Sequence, residues 1–199
     1  MVTVRQMERE WDDRKYEKLL AGLVAARPEQ AFTFDYAGGR ATPAAAMALI
    51  RLDELNQTHV PLYGRLVRAI LAAQSANDGG WGDPAVTAFC LRALTGSRGN
   101  GVSVERGLDY LAGLQKDEGL WPAGPIRRMA ADTAASAFIL YQLADNPAFR
   151  AAVRFHDAVA WFDRRVDKSD PDTKQWWRLA RLKCMYPLPL SVAEAVGMS

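Results

Sequence analysis

Apolar residues recur with a helical period along most of the chain. In segments 63–74 and 104–114 they return every three or four residues, which places them on one face of a helix. Segments 42–52, 83–94 and 132–143 are apolar on nearly every side, a pattern typical of buried helices. Amphipathic and apolar helices therefore alternate, and no segment alternates as a strand does, so we predict an all-α fold.

The inner, apolar helices begin at similar residues and at similar intervals. Their predicted caps are Thr42, Asp83, Asp132 and Asp172, which lie 41, 49 and 40 residues apart. Each cap has a side-chain oxygen that can accept a hydrogen bond from a free backbone N–H of the first turn. A repeat near this length is typical of stacked helical hairpins, in which neighbouring units bury each other's apolar helices.

These repeats predict one domain at residues 1–186, built from about four outer and inner helix pairs, and a C-terminal tail at 187–199. Glycine and proline residues interrupt the chain between the predicted helices, as helix connections require. The predicted pairs are roughly 4–26 with 42–53, 58–75 with 83–95, 103–115 with 132–144, and 147–165 with 172–186.

Two of the loops that join an outer to an inner helix share one pattern. Residues 74–81 read QSANDGGW and residues 115–121 read QKDEGLW. We expect the glutamine to hydrogen-bond the helix end and the neighbouring loop, the glycine to adopt positive φ, and the tryptophan ring to cover the helix end. The residues of these two predicted clamps are Gln74, Gly79, Trp81, Gln115, Gly119 and Trp121.

The order and spacing of these residues resemble the QW motif of the squalene–hopene cyclase and protein prenyltransferase superfamily. The third repeat matches the whole motif, from Arg106-Gly107 to Trp121, whereas the second has Arg65-Leu66 where the family has a basic residue and glycine. The resemblance is clear over about 60–145 and extends over 30–186. It implies an α/α-toroid of two concentric helix layers around an apolar cavity that binds isoprenoid chains.

About four helix pairs are fewer than a full toroid of that family contains. The resemblance therefore implies a ring that is open, small, or completed by a second chain. The inner helices would line the cavity, and their aromatic residues could stabilise a carbocation by cation–π attraction. The candidate ligand-binding residues are Phe89, Cys90, Phe138, Tyr141, Trp176 and Trp177, with ordinary core packing as the alternative for each.

The catalytic motif of the protonating cyclases is incomplete in this chain. That motif resembles DxDD followed by Thr-Ala, and the matching stretch here is MAADTA at 129–134. Met129 and Ala131 replace the first two acids and only Asp132 remains, although a strong acid of this kind needs a neighbouring carboxyl. Asp132 is the one candidate catalytic residue, and a helix cap equivalent to Asp83 is the favoured interpretation.

Metal-dependent chemistry has little support in the sequence. The prenyltransferase branch binds zinc through Asp, Cys and His, but the chain has no Asp-x-Cys pair, and its histidines and cysteines fall in different helix layers. Asp12-Asp13 is the only Asp-Asp pair and lies in a charged segment, without the DDxxD pattern of a magnesium site. We therefore expect no metal and no cofactor.

The sequence also fits two functions other than isoprenoid binding. A non-catalytic repeat scaffold fits the missing acid and the short array, and a second copy of the chain is a candidate partner because Trp176-Trp177 lies in the last helix. A polysaccharide lyase-like toroid is a further alternative, with Arg127 and Arg128 as candidate bases.

Charge, hydropathy and cysteine content indicate which partners and which cellular compartment to expect. Lys and Arg number 25 against 23 Asp and Glu, a net charge of +2 that gives no reason to expect nucleic acid as a partner. The N-terminus has no apolar signal core, and no run approaches the ~18 apolar residues of a membrane span. Cys90 and Cys184 lack CxxC spacing and lie in helical patterns, so we expect reduced thiols and a cytoplasmic protein.

Overall fold

The computed structural model describes residues 41–97 and 99–185. The predicted outer helix at 4–26, Asp12-Asp13 and the predicted tail at 187–199 lie outside the described residues. Eight α-helices make up the described part: α1 Ala41–Glu54, α2 Pro61–Ala72, α3 Pro84–Thr95, α4 Gly101–Leu114, α5 Thr133–Leu143, α6 Pro147–Ala152, α7 Phe155–Arg165 and α8 Pro171–Met185.

The prediction of an all-α fold is confirmed. A short 3-10 helix at Val166–Lys168 joins α7 to α8. The only β-type pairing between described residues is an isolated antiparallel bridge from Pro122 to Ala131. Because these two residues bracket an exposed loop, the bridge closes the loop and does not begin a sheet.

The described helices form an inner and an outer layer. The inner helices pack side by side in the order α1, α3, α5, α8, and α2 packs on α1 while α4 packs on α3. Helix α5 is apolar on nearly all sides because it lies between two inner neighbours as well as the core. The core between the layers includes the fully buried Leu49, Leu66, Ile70, Leu91, Leu111 and Leu140.

Side-chain caps start the inner helices α3 and α5. The Asp83 carboxylate accepts a hydrogen bond from the backbone N–H of Val86 at 2.8 Å. The Asp132 carboxylate accepts one from the N–H of Ala135 at 2.7 Å, in the same position relative to its helix. The predicted cap Thr42 is wrong, because this residue already lies within α1.

The predicted cap of the last helix is wrong by two residues. Helix α8 begins at Pro171, whose fixed φ and missing N–H suit the first helical position. Asp170, not Asp172, caps this helix, because its carboxylate accepts from the Thr173 N–H at 2.9 Å and from the Thr173 hydroxyl at 2.6 Å. These hydrogen bonds from Thr173 lower the pKa of Asp170.

The prediction of one outer helix over 147–165 is also wrong. The segment forms two helices, α6 and α7, because Val153 is extended with φ −116° and ψ 167°. The interruption leaves the backbone N–H of Arg154 without a partner inside a helix, and the side chain of Gln115 accepts from it at 2.7 Å. A contact from the preceding repeat thus compensates the break in the helix.

Candidate binding groove and the loop clamps that shape it

The glutamine and tryptophan of the second repeat tie three segments together. The Gln74 amide donates to the carbonyl of Gly79 in its own loop and to the carbonyl of Ser103 in α4, both at 2.8 Å. The Trp81 ring N–H donates to the carbonyl of Ile70 in the last turn of α2 at 2.7 Å. Gly79 has φ +80°, and a Cβ there would meet the Arg106 carbonyl of α4 at 2.7 Å.

The third repeat forms the same arrangement. The Gln115 amide donates to the carbonyl of Gly119 at 2.8 Å, and the Trp121 ring N–H donates to the carbonyl of Leu111 in α4 at 2.8 Å. In both repeats the glutamine lies just after its outer helix, two residues after Ala72 for Gln74 and one after Leu114 for Gln115, and bonds its own loop and the next outer segment. Among the described residues, neither glutamine side chain bonds a carbonyl of its own helix, which differs from the expected geometry; the backbone N–H groups of Gln74 and Gln115 do so instead, to Leu71 at 3.2 Å and Leu111 at 3.2 Å.

Two hydroxyl residues complete the clamps and were not singled out from the sequence. The backbone N–H of Trp81 donates to the Thr87 hydroxyl at 2.9 Å, and that of Trp121 donates to the Ser136 hydroxyl at 2.8 Å. Each hydroxyl lies four residues after a capping aspartate and is fully buried. A hydroxyl repeated at this offset in two otherwise apolar helices is the signal that could have identified them.

Two arginines of the outer segments bind the loops of the preceding repeat. The Arg106 guanidinium donates to the carbonyls of Ser75 at 3.0 Å and Ala76 at 2.7 Å. The Arg154 guanidinium donates to the carbonyl of Asp117 at 3.0 Å and approaches its carboxylate at 3.2 Å. Each loop is therefore held by the next outer segment as well as by its own residues, which fixes where the following inner helix begins.

The inner helices so placed enclose a groove of about 490 Å³. Helices α1, α3, α5 and α8 all line this cavity, so the first and last inner helices of the described part face one space and the inner layer is curved. We call it the aromatic groove, since its apolar lining includes Met47, Ile50, Phe89, Phe138, Tyr141 and Trp176.

The aromatic side chains of the groove form a connected cluster. The Phe138 ring lies 6.1 Å from Phe89 and 5.3 Å from Trp176, with an edge-on angle of 87° to the tryptophan. The Tyr141 ring lies 5.0 Å from Trp176. Edge-on and tilted contacts of this kind stabilise aromatic clusters and hold each ring in one orientation. One side of the groove is therefore a continuous aromatic surface.

Four of the six predicted ligand-binding residues line this groove, and two lie elsewhere. Cys90 is completely buried in the core, and burial raises the pKa of its thiol, so the group stays protonated and unreactive at neutral pH. Trp177 stacks on Phe162 of α7 at 4.8 Å and 15°. Neighbouring positions on a helix point to different sides, so Phe89 and Trp176 reach the groove while Cys90 and Trp177 pack between the layers.

A second cavity of about 550 Å³ adjoins the aromatic groove at the C-terminal ends of α1, α3 and α5. Its lining is more polar, with Asp53, Thr95, Asp145 and Asn146 among its residues, and we call it the polar cavity. The two cavities share four lining residues, Ile50, Glu54, Arg92 and Gln142. A ligand could therefore extend from apolar to polar surroundings without leaving the inner helices.

Charged residues at this end are arranged in pairs. The Arg92 guanidinium lies 3.7 Å from the Glu54 carboxylate, and the Lys183 ammonium lies 3.3 Å from that of Asp145. Lys183 also lies 4.9 Å above the Tyr141 ring. Burial, followed by repulsion from Arg92, lowers the pKa of Lys183. Cations and carboxylates thus lie side by side at the junction of the two cavities.

Asp132 occupies a structural position. Its carboxylate caps α5, and it is not among the residues that line the aromatic groove or the polar cavity. Arg127 and Arg128 are exposed on the loop between Pro122 and Ala131, also outside both cavities. Among the described residues, no three His, Cys, Asp or Glu side chains are placed to hold a metal ion.

No protein-family model, curated protein or solved structure matches this chain. Over the part of the chain that the structure describes, no helix has the length and apolar character needed to cross a membrane.

Proposed function

We propose that this protein binds an apolar, isoprenoid-type chain in the aromatic groove. The observation that carries the proposal is the convergence of Phe89, Phe138, Tyr141 and Trp176, from three inner helices, on one cavity of about 490 Å³. Ligand sites are typically concave, mainly apolar and of this size, with a few polar groups that orient the ligand. The resemblance of the loop motif to the cyclase and prenyltransferase superfamily agrees with this ligand class.

The proposal is for binding, with catalysis unassigned. Protonation of an alkene needs an acid near the bound chain, and Asp132 is committed to the backbone of α5 and is absent from the groove lining. A cyclase-like reaction in this groove would have to use a different acid. The groove's aromatic rings could stabilise positive charge, but they cannot supply a proton.

The test is incubation with squalene and with linear prenyl diphosphates, followed by thermal unfolding and by mass spectrometry of the products. We expect at least one of these prenyl compounds to raise the unfolding temperature, because a ligand that binds only the folded state stabilises it. We expect no cyclic product, and the same thermal shift in the Asp132→Asn variant, since asparagine also caps helices. Unchanged thermal stability with every prenyl compound would reject the binding function.

A second candidate function is that of a non-catalytic scaffold, with a second copy of the chain as the partner. Leu179 and Leu182, one helical turn apart on α8, are exposed by 37% and 56% and favour this alternative. Native mass spectrometry separates the two proposals. A dimer that dissociates in Leu182→Asp would support the scaffold, and a monomer would reject self-association.

A further inference from the structure

Gln142 is a buried amide on the wall between the two cavities. It is only 5% exposed, yet it lines both the aromatic groove and the polar cavity. Among the described residues, no hydrogen bond uses its side-chain amide. Among the described residues, the side-chain polar atoms that are both sealed from solvent and without a hydrogen-bond partner belong to Tyr63 and Lys183. The Gln142 amide is not one of them, so it has no partner but can still be reached from the cavity. The amide is therefore free to exchange a water for a polar group of a molecule in the cavity.

Arg92 lies at the same junction and also has unused hydrogen-bonding capacity. Its side chain is 28% exposed, and its contact with Glu54 at 3.7 Å is too long for a hydrogen bond. A guanidinium has five N–H donors in a planar fork that matches a carboxylate. The junction therefore offers a cationic fork and an amide, both of which line the two cavities.

The charges around the junction limit what the ligand's polar end can be. Arg92, Arg51 and the partly buried Lys183 supply positive charge, and Glu54, Asp53 and Asp145 supply negative charge. The carboxylates nearly balance the cations, so a group with several negative charges, such as a diphosphate, would be repelled unless further cations came with it. A group with one negative charge and two acceptor oxygens fits this balance.

We propose that the ligand of the aromatic groove is an amphipathic monocarboxylic acid. Its apolar chain lies along Phe138 and Trp176, and its carboxylate is bound by the Arg92 guanidinium and the Gln142 amide at the entrance to the polar cavity. This inference rests on the proposed binding function and adds the chemical class of the ligand's polar end. It also gives Gln142 a hydrogen-bond partner that the described part of the chain does not provide.

The test compares three ligands that share one chain: farnesoic acid, farnesol and farnesene. Dissociation constants are measured by calorimetry for the wild-type protein and for Arg92→Met, Gln142→Leu and Gln142→Glu. We expect the acid to bind at least roughly tenfold more tightly than the hydrocarbon, since hydrogen bonds to a charged group contribute more than neutral ones. Each variant should weaken binding of the acid roughly tenfold or more and change farnesene binding much less, because farnesene has no polar group to bond either side chain.

Two controls keep the result specific. Arg178→Met removes an exposed arginine of α8 that lines neither cavity, and it should leave all three affinities unchanged. Gln142→Glu keeps the shape of the side chain, and its retained binding of farnesene shows that the groove is intact while the acid is repelled. Equal affinities for the acid and farnesene, or variants that bind the acid as the wild type does, would overturn the carboxylate assignment alone. Failure of all three ligands to bind would overturn the proposed function as well.

Discussion

The Gln115 side chain shows how much of the architecture depends on single amides. It is 9% exposed, and its two ends serve different segments: the N–H donates to Gly119 and the carbonyl accepts from the backbone of Arg154. Hydrophobic contacts alone could not fix this loop, because they have no direction. The directional hydrogen bonds of the Gln115 amide fix the loop relative to the point where α6 ends and α7 begins.

Replacing this amide should therefore destabilise the protein. We expect Gln115→Leu to lower the free energy of unfolding by about 2 to 4 kcal/mol, since it leaves the Gly119 carbonyl and the Arg154 N–H without partners. Gln175→Leu, at an exposed position of α8, is the matched control and should change it by less than about 0.5 kcal/mol. Urea denaturation measures both, and equal midpoints for the two variants would show that the clamp adds no stability.

At this scale the sequence identifies the residue types but not all of their partners. Repetition of Gln, Gly and Trp in two loops singles out the clamp residues, because recurrence is visible in a single chain. Thr87 and Ser136 escape notice because a hydroxyl in a helix has many ordinary uses. Arg92 and Gln142 belong to no repeated motif, so the sequence does not single them out. Only the three-dimensional structure shows that both line the junction of the two cavities.

At the scale of helices and loops, the loop after α4 depends on a close approach to α7. Gly119 has φ +88°, and a Cβ added there would lie 2.4 Å from the backbone nitrogen of Ala158. Gly82 has nearly the same backbone conformation, with φ +91°, but nothing lies within 4 Å of the position of its Cβ. Substitution of Gly82 therefore tests backbone strain alone, whereas substitution of Gly119 tests strain together with steric crowding.

We expect Gly82→Ala to lower the free energy of unfolding by about 1 to 2 kcal/mol, the cost of a left-handed backbone for a residue with a Cβ. Gly119→Ala should cost about 1 to 3 kcal/mol more, because the added methyl forces the loop away from α7. Chemical denaturation of the two variants measures the difference. Equal losses would mean that the loop and α7 are not packed as the structure places them.

Helix periodicity predicts most of the described helices, but not where tertiary contacts override it. The segment at 147–165 reads as one amphipathic helix, yet it breaks at Val153, where Gln115 bonds the backbone N–H of Arg154 that the break leaves free. The cap of α8 moves from Asp172 to Asp170 because Pro171 favours the first helical position. In both places two local backbone structures compete. The pattern of apolar residues does not show which of the two is more stable.

At the scale of the whole molecule, the fold class follows from the sequence and the shape of the cavity does not. Alternating amphipathic and apolar helices predict two layers, and the structure has them. The curvature of the inner layer decides which aromatic residues share a cavity, and it results from the summed packing of every repeat. Closure into a toroid therefore stays a prediction, as does the isoprenoid ligand.

The central claim is that the aromatic groove binds an apolar chain. Ala85 and Ala134 both occupy the second position of an inner helix, in α3 and α5, but only Ala85 lines the groove. Tryptophan at position 85 should fill the groove, whereas tryptophan at the exposed position 134 should remain in solvent. Ala85→Trp and Ala134→Trp therefore make the same substitution inside and outside the aromatic groove, so the second is the control for the first.

The most direct measurement is calorimetric titration of farnesol into the wild-type protein, Ala85→Trp and Ala134→Trp. We predict saturable binding with a negative heat-capacity change for the wild type and for Ala134→Trp, because the chain buries apolar surface. Ala85→Trp should bind at least roughly tenfold more weakly, since the bulky ring occupies part of the groove. Wild-type affinity in Ala85→Trp, or no saturable binding by the wild type, would contradict the account.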